Sequence, residues 1–180
     1  MATSMSKRAL EVLNKQIIEE FQSALVYLSM SGVFAGMGLN GCMQWARLQS
    51  QNSNTSALKI FDYIVERGMK VKLAQMQAPR QDWRAPLHVF EEILRFEQKA
   101  TAAIYAILDI CVADQDHATS IFIQPFIQQQ VKKEATATFL LDRLRKMQST
   151  ELGVIMFDEH LDKKLSAEDC SNNGIFSTFG

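Results

Sequence analysis

The chain has 180 residues, 47% of them hydrophobic, and a net charge of −1. That length and composition suit one compact domain with a sizeable core, and the near-neutral balance argues against nucleic acid or a membrane surface as a partner. No apolar run is as long as a membrane span, and the opening MATSMSKRALEVL lacks the apolar stretch of a secretory leader. The three cysteines, Cys42, Cys111 and Cys170, are widely spaced and form no zinc pattern. They read as reduced thiols of a cytoplasmic protein.

The first helix is expected over residues 6–35, capped by Ser6 and ended among Gly32, Gly36 and Gly38. Its inward seam runs Leu13, Ile17, Glu20, Ala24, Tyr27, Ser31, Phe34, with a lone carboxylate at its middle. The second helix is expected over residues 40–67, ended by Gly68, with the seam Cys42, Ala46, Gln49, Ser53, Ser56, Ile60, Tyr63. Between Ser50 and Ser56 it has no aliphatic side chain. Ser, Asn and Thr compete with the helix for backbone hydrogen bonds, so a run of them at the centre of a helix calls for a reason.

Residues 68–85 lack a helical period and contain Pro79. Most loops in compact domains are about 4–6 residues long. A connection of this length can cross the whole of a bundle, and two short-looped helix pairs joined by one long crossover form a ferritin-like topology.

The third helix is expected to start at Pro86, a favoured first-turn residue, and to run to residue 113. Its seam is Phe90, Ile93, Glu97, Ala100, Ile104, Ile107, Cys111, again with one carboxylate. The fourth helix is expected over residues 116–147, with the seam Ile123, Phe126, Gln130, Lys133, Ala137, Leu140, Leu144, and with a kink or break near Pro125. A short fifth helix is expected over residues 152–164. The domain then spans residues 1–165, and residues 166–180 form a loose tail.

The interrupted seam positions all fall near helix midpoints. Antiparallel helices of similar length bring their midpoints to one height. Glu20, Ser53, Ser56, Glu97, Gln130 and Lys133 are therefore expected in one layer inside an all-α four-helix bundle. Carboxylate di-iron bundles place a Glu on each of two helices and Glu-x-x-His on each of the others. Here the single carboxylates are present, while Ser-x-x-Ser and Gln-x-x-Lys occupy the paired positions. Serine hydroxyls are poor iron ligands beside carboxylate and imidazole, and Lys133 brings a positive charge where a metal would supply one. His88, His117 and His160 fall at or near expected helix ends and off this layer.

Several segments resemble the bacterial non-haem ferritins in one register. LNKQIIEEFQSALVYLSM at residues 13–30 is similar to that family's first helix, with Glu20 and Tyr27 at its ligand and tyrosine positions. LKIFDYIVERG resembles the end of its second helix, and FEQKA at residues 96–100 resembles its HEQ segment, with Glu97 at the bridging carboxylate. The departures fall on the site. QNSNTS at residues 51–56 matches the family's QEEMTH, so the bridging Glu becomes Ser53 and the His becomes Ser56. QQVKK replaces an acidic run, keeping Gln130 and placing Lys132 and Lys133 where acids serve an accessory iron position. The methionine that clamps haem in bacterioferritins is matched by Asn54, which argues against haem.

The resemblance implies a hollow homo-oligomeric shell of 24 subunits that stores ferric mineral. It implies at most weak iron binding at the remnant Glu20, Glu97 and Gln130. Two readings of the carboxylates stay open: a buried ion pair of Glu20 and Glu97 with Lys133, which offsets the cost of burying charge, or a residual metal site. Tyr27 reads as a packing and hydrogen-bonding residue. Three functions follow: a catalytically silent iron-storage subunit, a non-iron structural shell subunit that co-assembles with an active ferritin, or a ferroxidase with an altered site.

Overall fold

Capping chemistry sets the helix ends. In the computed structural model, which describes the backbone of residues 5–173 and the side chains of residues 5–165, five helices follow one another. They are α1 (Lys7–Gly36), α2 (Asn40–Glu66), α3 (Pro86–Ala113), α4 (His117–Met147) and α5 (Glu151–Asn173). The Ser6 hydroxyl accepts the Ala9 amide at 2.9 Å, and the Asp116 carboxylate accepts the Thr119 amide at 3.1 Å. Each satisfies one of the backbone donors that a helix start leaves bare. Gly38 between α1 and α2 and Gly68 after α2 have φ of 74° and 70°, a left-handed backbone that glycine adopts without strain.

The crossover, residues 68–85, is an extended strap laid along α1. Asn14 Oδ1 accepts the Lys72 amide at 2.7 Å, and the Gln22 side chain bonds both the amide and the carbonyl of Gln77 at 2.9 and 3.0 Å. Ser29 donates to the Arg80 carbonyl at 2.7 Å. The strap thus follows α1 in its own direction and delivers α3 at the far end, where Phe34 meets Phe90 with ring centroids 5.5 Å apart. The α1–α2 and α3–α4 pairs are short-looped, and the ferritin-like bundle topology is present in full.

Burial divides the core in two. One apolar cluster gathers Met30, Phe34, Trp45, Phe90, Leu141 and Phe157. The other gathers Leu13, Ile17, Ile60, Ile64, Ile104 and Ile123. Between them, in chain position, lie the buried polar residues Glu20, Ser23, Ser53, Ser56, Glu97 and Gln130. The second-helix run of small polar residues therefore lies at the division of the core, and interior packing accounts for a helix its propensities would weaken.

Two expectations differ from the observed helices. Of the kink or break expected near Pro125, the break is not formed: α4 is one continuous helix through that residue. Proline removes one backbone bond, to the carbonyl of Ile121, and both residues are solvent-exposed, so water can take that carbonyl. α5 extends to Asn173 rather than ending at residue 164, because no Gly or Pro interrupts the chain until Gly174. Residues 166–173 of the expected tail are thus helical, and residues 174–180 lie outside the described residues. The extension also leaves His160 inside α5, where its Nε2 lies 3.0 Å from an Arg143 guanidinium nitrogen. His88, His117 and His160 are all exposed.

Candidate functional site

α1 contributes Gln16, Glu20, Ser23 and Tyr27, one helical turn apart and so on one face. The Glu20 carboxylate, 8% exposed, accepts the Gln16 side-chain amide at 3.0 Å. Burial raises its pKa above the ordinary glutamate value; the Lys133 ammonium and the Gln16 bond act in the opposite direction, and the Glu97 charge adds to the rise. The Tyr27 ring sits edge-on to Trp45 and Phe96, at centroid distances of 5.8 and 6.2 Å. Its hydroxyl donates to Glu97 Oε1. Burial, followed by the Glu97 charge, raises the phenol pKa well above its usual value, so the phenol stays protonated and remains a donor.

α3 contributes Glu97, 1% exposed. Both of its oxygens are engaged, Oε1 by Tyr27 and Oε2 by Gln130 Nε2 at 2.6 Å. Gln130, on α4, also donates to the Glu97 backbone carbonyl at 3.1 Å. This tyrosine–glutamate–glutamine chain links three helices and satisfies a carboxylate whose unpaired burial would be costly.

α2 contributes Ser53, which has no solvent exposure. Its hydroxyl lies 3.1 Å from that of Ser23. Ser50, one turn earlier, donates to the Ala24 carbonyl at 2.8 Å. Ser56 is buried in the same row.

Lys133 is half-buried. It lines a cavity of about 200 Å³ together with Glu20, Glu97, Gln130, Ser23 and the apolar faces of α1 and α3. No ion pair within 4.0 Å involves Lys133 among the described residues, whose salt bridges lie elsewhere. The expected contact pair with Glu20 or Glu97 is therefore not formed. Glu97 finds neutral donors instead, and the ammonium acts on Glu20 at longer range. Among the described residues, no three His, Cys, Asp or Glu side chains converge as a metal-binding group.

The layer anticipated from the helix midpoints is thus only partly one cluster. Glu20, Glu97, Gln130 and Lys133 line one cavity, while Ser53 joins through Ser23. Gln16 and Ser23 were not anticipated. Their signal is their spacing from Glu20, four residues before and three after it.

A ferritin-like domain model matches residues 10–147. The chain belongs to the ferritin family. It is 32% identical over 160 residues to a bacterial non-heme ferritin of Bacteroides fragilis, covering 89% of this chain and 99% of that one. It is 26% identical to a bacterial non-heme ferritin of Campylobacter jejuni, over 87% of this chain and 94% of the relative. Among solved structures, an open-pore ferritin from the hyperthermophilic archaeon Archaeoglobus fulgidus superposes with a TM-score of 0.86 at 34% identity, covering 88% of this chain and 97% of that one. An engineered closed form of the same archaeal ferritin superposes at 0.85. Within this ferritin, no described helix is long and apolar enough to cross a membrane. Cys42 and Cys111 are free and buried; burial raises the Cys42 pKa and pushes that of Cys111 up to about 11, so neither thiol is a ready nucleophile or metal ligand.

Proposed function

We propose that this chain is a shell subunit of a cytoplasmic iron-storage cage, of 24 subunits, whose own bundle centre does not oxidise Fe(II). Family membership supports the cage and its iron cargo. The observation that carries the silent centre is the donor set around Ser53. A centre that oxidises Fe(II) needs carboxylate or imidazole ligands on both ions. Here a fully buried hydroxyl meets another hydroxyl at 3.1 Å, and an ammonium lines the same cavity as the two remaining carboxylates. Glu97 has both oxygens committed to Tyr27 and Gln130. The residues present do not fit a di-iron pair, and Glu20, Glu97 and Gln130 keep at most a weak claim on a single ion.

The test has two parts. Light scattering of the purified protein should give a large assembly, and a monomer would overturn the cage. Stopped-flow oxidation of Fe(II) should proceed at the rate of buffer, and a fast phase saturating at a fixed number of ions per chain would overturn the silent centre.

One observation favours a second reading, a shell subunit that holds no iron by itself and co-assembles with an active ferritin. No acidic residue occurs between Phe21 and Phe61, so nearly all of α2 lacks a carboxylate to gather cations. Mineral formed by the homo-oligomer under slow air oxidation separates the two, since only the first reading expects it.

A further inference from the structure

The cavity beside the polar layer contains the Lys133 ammonium, which acts on Glu20 at longer range but has no contact partner among the described residues. The cavity lies between α1, α3 and α4 and has a volume of about 200 Å³. A cavity of about 150 Å³ with apolar walls accepts a benzene-sized molecule. Val12 on α1 and Ala100, Ala103 and Ile107 on α3 supply apolar lining of that kind. Ala103 and Lys99 are exposed, so the cavity opens to solvent along α3.

Its polar lining is uneven. Both oxygens of Glu97 are taken by Tyr27 and Gln130, and Glu20 accepts Gln16. Lys133, half-buried in the same lining, makes no hydrogen bond or close ion pair among the described residues. Lys15 and Lys99 in the same lining offset the Glu19 and Glu20 carboxylates, so a partly desolvated ammonium beside an apolar space wide enough for a ring suits a small carboxylate with an apolar body.

We propose that this cavity binds a small amphipathic monocarboxylate, with its apolar body against Ala100, Ala103 and Ile107 and its carboxylate on the Lys133 ammonium. The assignment rests on the reading that no di-iron pair occupies the centre. Where iron ligands are replaced, the same cavity becomes a site for an organic anion. The three alanines of the lining, Ala100, Ala103 and Ala106, suit this, because small side chains on one helix face leave the volume that a bulkier set would fill.

Calorimetric titration of the assembled protein tests the assignment with benzoate, with benzyl alcohol as the uncharged counterpart and with acetate as the carboxylate lacking a ring. Benzoate should bind saturably, once per chain, about tenfold or more tighter than either control, the range of a charge-assisted bond. Lys133→Met should weaken benzoate about tenfold and leave benzyl alcohol unchanged. Ala103→Trp, at an exposed position and checked for helicity by circular dichroism, should abolish binding of both ring compounds. Equal affinity for benzoate and either control, or a Lys133→Met protein that binds benzoate as the parent does, would overturn the proposal. Fe(II) oxidation is a separate readout: a fast oxidising phase alongside intact benzoate binding would count against the silent centre alone, and loss of benzoate binding with slow oxidation would count against this site alone.

Discussion

Across the α1–α2 interface the hydroxyls of Ser23 and Ser53 lie 3.1 Å apart, in a place with no solvent exposure at Ser53. A carboxylate introduced there has no cation in contact and a hydroxyl pair to displace. Ser53→Glu alone should therefore cost about 3 kcal/mol or more, the range of an uncompensated buried charge, read from the urea midpoint. Ser53→Glu, Ser56→His and Lys133→Glu together rebuild a carboxylate–imidazole layer around Glu20, Glu97 and Gln130. That triple variant should be less stable than the parent without metal, recover stability on adding Fe(II), and oxidise Fe(II) faster than the parent. Metal-independent stability in the triple variant would show that the layer does not gather its ligands.

Tyr27 and Gln130 share the task of satisfying Glu97. Tyr27→Phe keeps the ring contacts with Trp45 and Phe96 and removes one donor from a buried carboxylate. The expected cost is about 2 kcal/mol, typical of a hydrogen bond to a charged group. Chemical denaturation should show a lower midpoint with an unchanged slope.

Glu20 gives a pH-dependent prediction. Its pKa in the folded protein is raised above the ordinary glutamate value, first by burial. The group is neutral in both folded and unfolded states below the unfolded pKa, so burial carries no charge penalty there. As pH rises through the folded pKa, the folded state is left holding a buried charge, and stability falls. Glu20→Gln should match the parent in stability at acid pH and exceed it increasingly as pH rises from the ordinary glutamate pKa through the raised one. A constant difference across that window would contradict the burial argument.

Lys133→Met follows from the same group. With no contact ion pair, its cost should stay below about 1 kcal/mol, well short of the roughly 3–5 kcal/mol for breaking a buried pair. Removing the ammonium also removes an influence that lowers the Glu20 pKa, so Glu20 should titrate at still higher pH, as followed by carbon-13 NMR of its side chain.

The helices and their crossover were legible because periodicity and turn residues are local. Ser6, Asp116 and Pro86 mark helix starts by their own chemistry, and seam spacing put Glu20 and Glu97 inside. What escaped is contact that depends on side-chain reach. Periodicity puts Lys133 on the inward row, but only the packed bundle decides whether a four-carbon stem ends against a carboxylate or in a cavity. Gln16 and Ser23 looked like ordinary helix residues until Glu20 and Ser53 were placed beside them. The role of Asp158 was out of reach altogether, because its partners are the Gly41 and Cys42 amides, on a helix far away in the chain.

Gly41 allows that contact. A Cβ there would lie 2.1 Å from the Asp158 carbonyl oxygen and 2.9 Å from the Asp162 amide nitrogen. Both are backbone atoms of α5, so neither can swing aside. Gly41→Ala should cost about 2–3 kcal/mol, as overpacking does, and hydrogen exchange should show α5 losing protection before the other helices.

Asp158 accepts the Gly41 amide at 3.1 Å and the Cys42 amide at 2.7 Å, across 117 and 116 residues of chain. On the ribosome, α1 and α2 emerge early and can pair as a local hairpin. The amides that open α2 nevertheless stay bare until α5, synthesised after α1 to α4, supplies their carboxylate. A nascent chain stopped in the α4–α5 turn would carry an α2 with a frayed start, so the α1–α2 hairpin is completed only once α5 has been made.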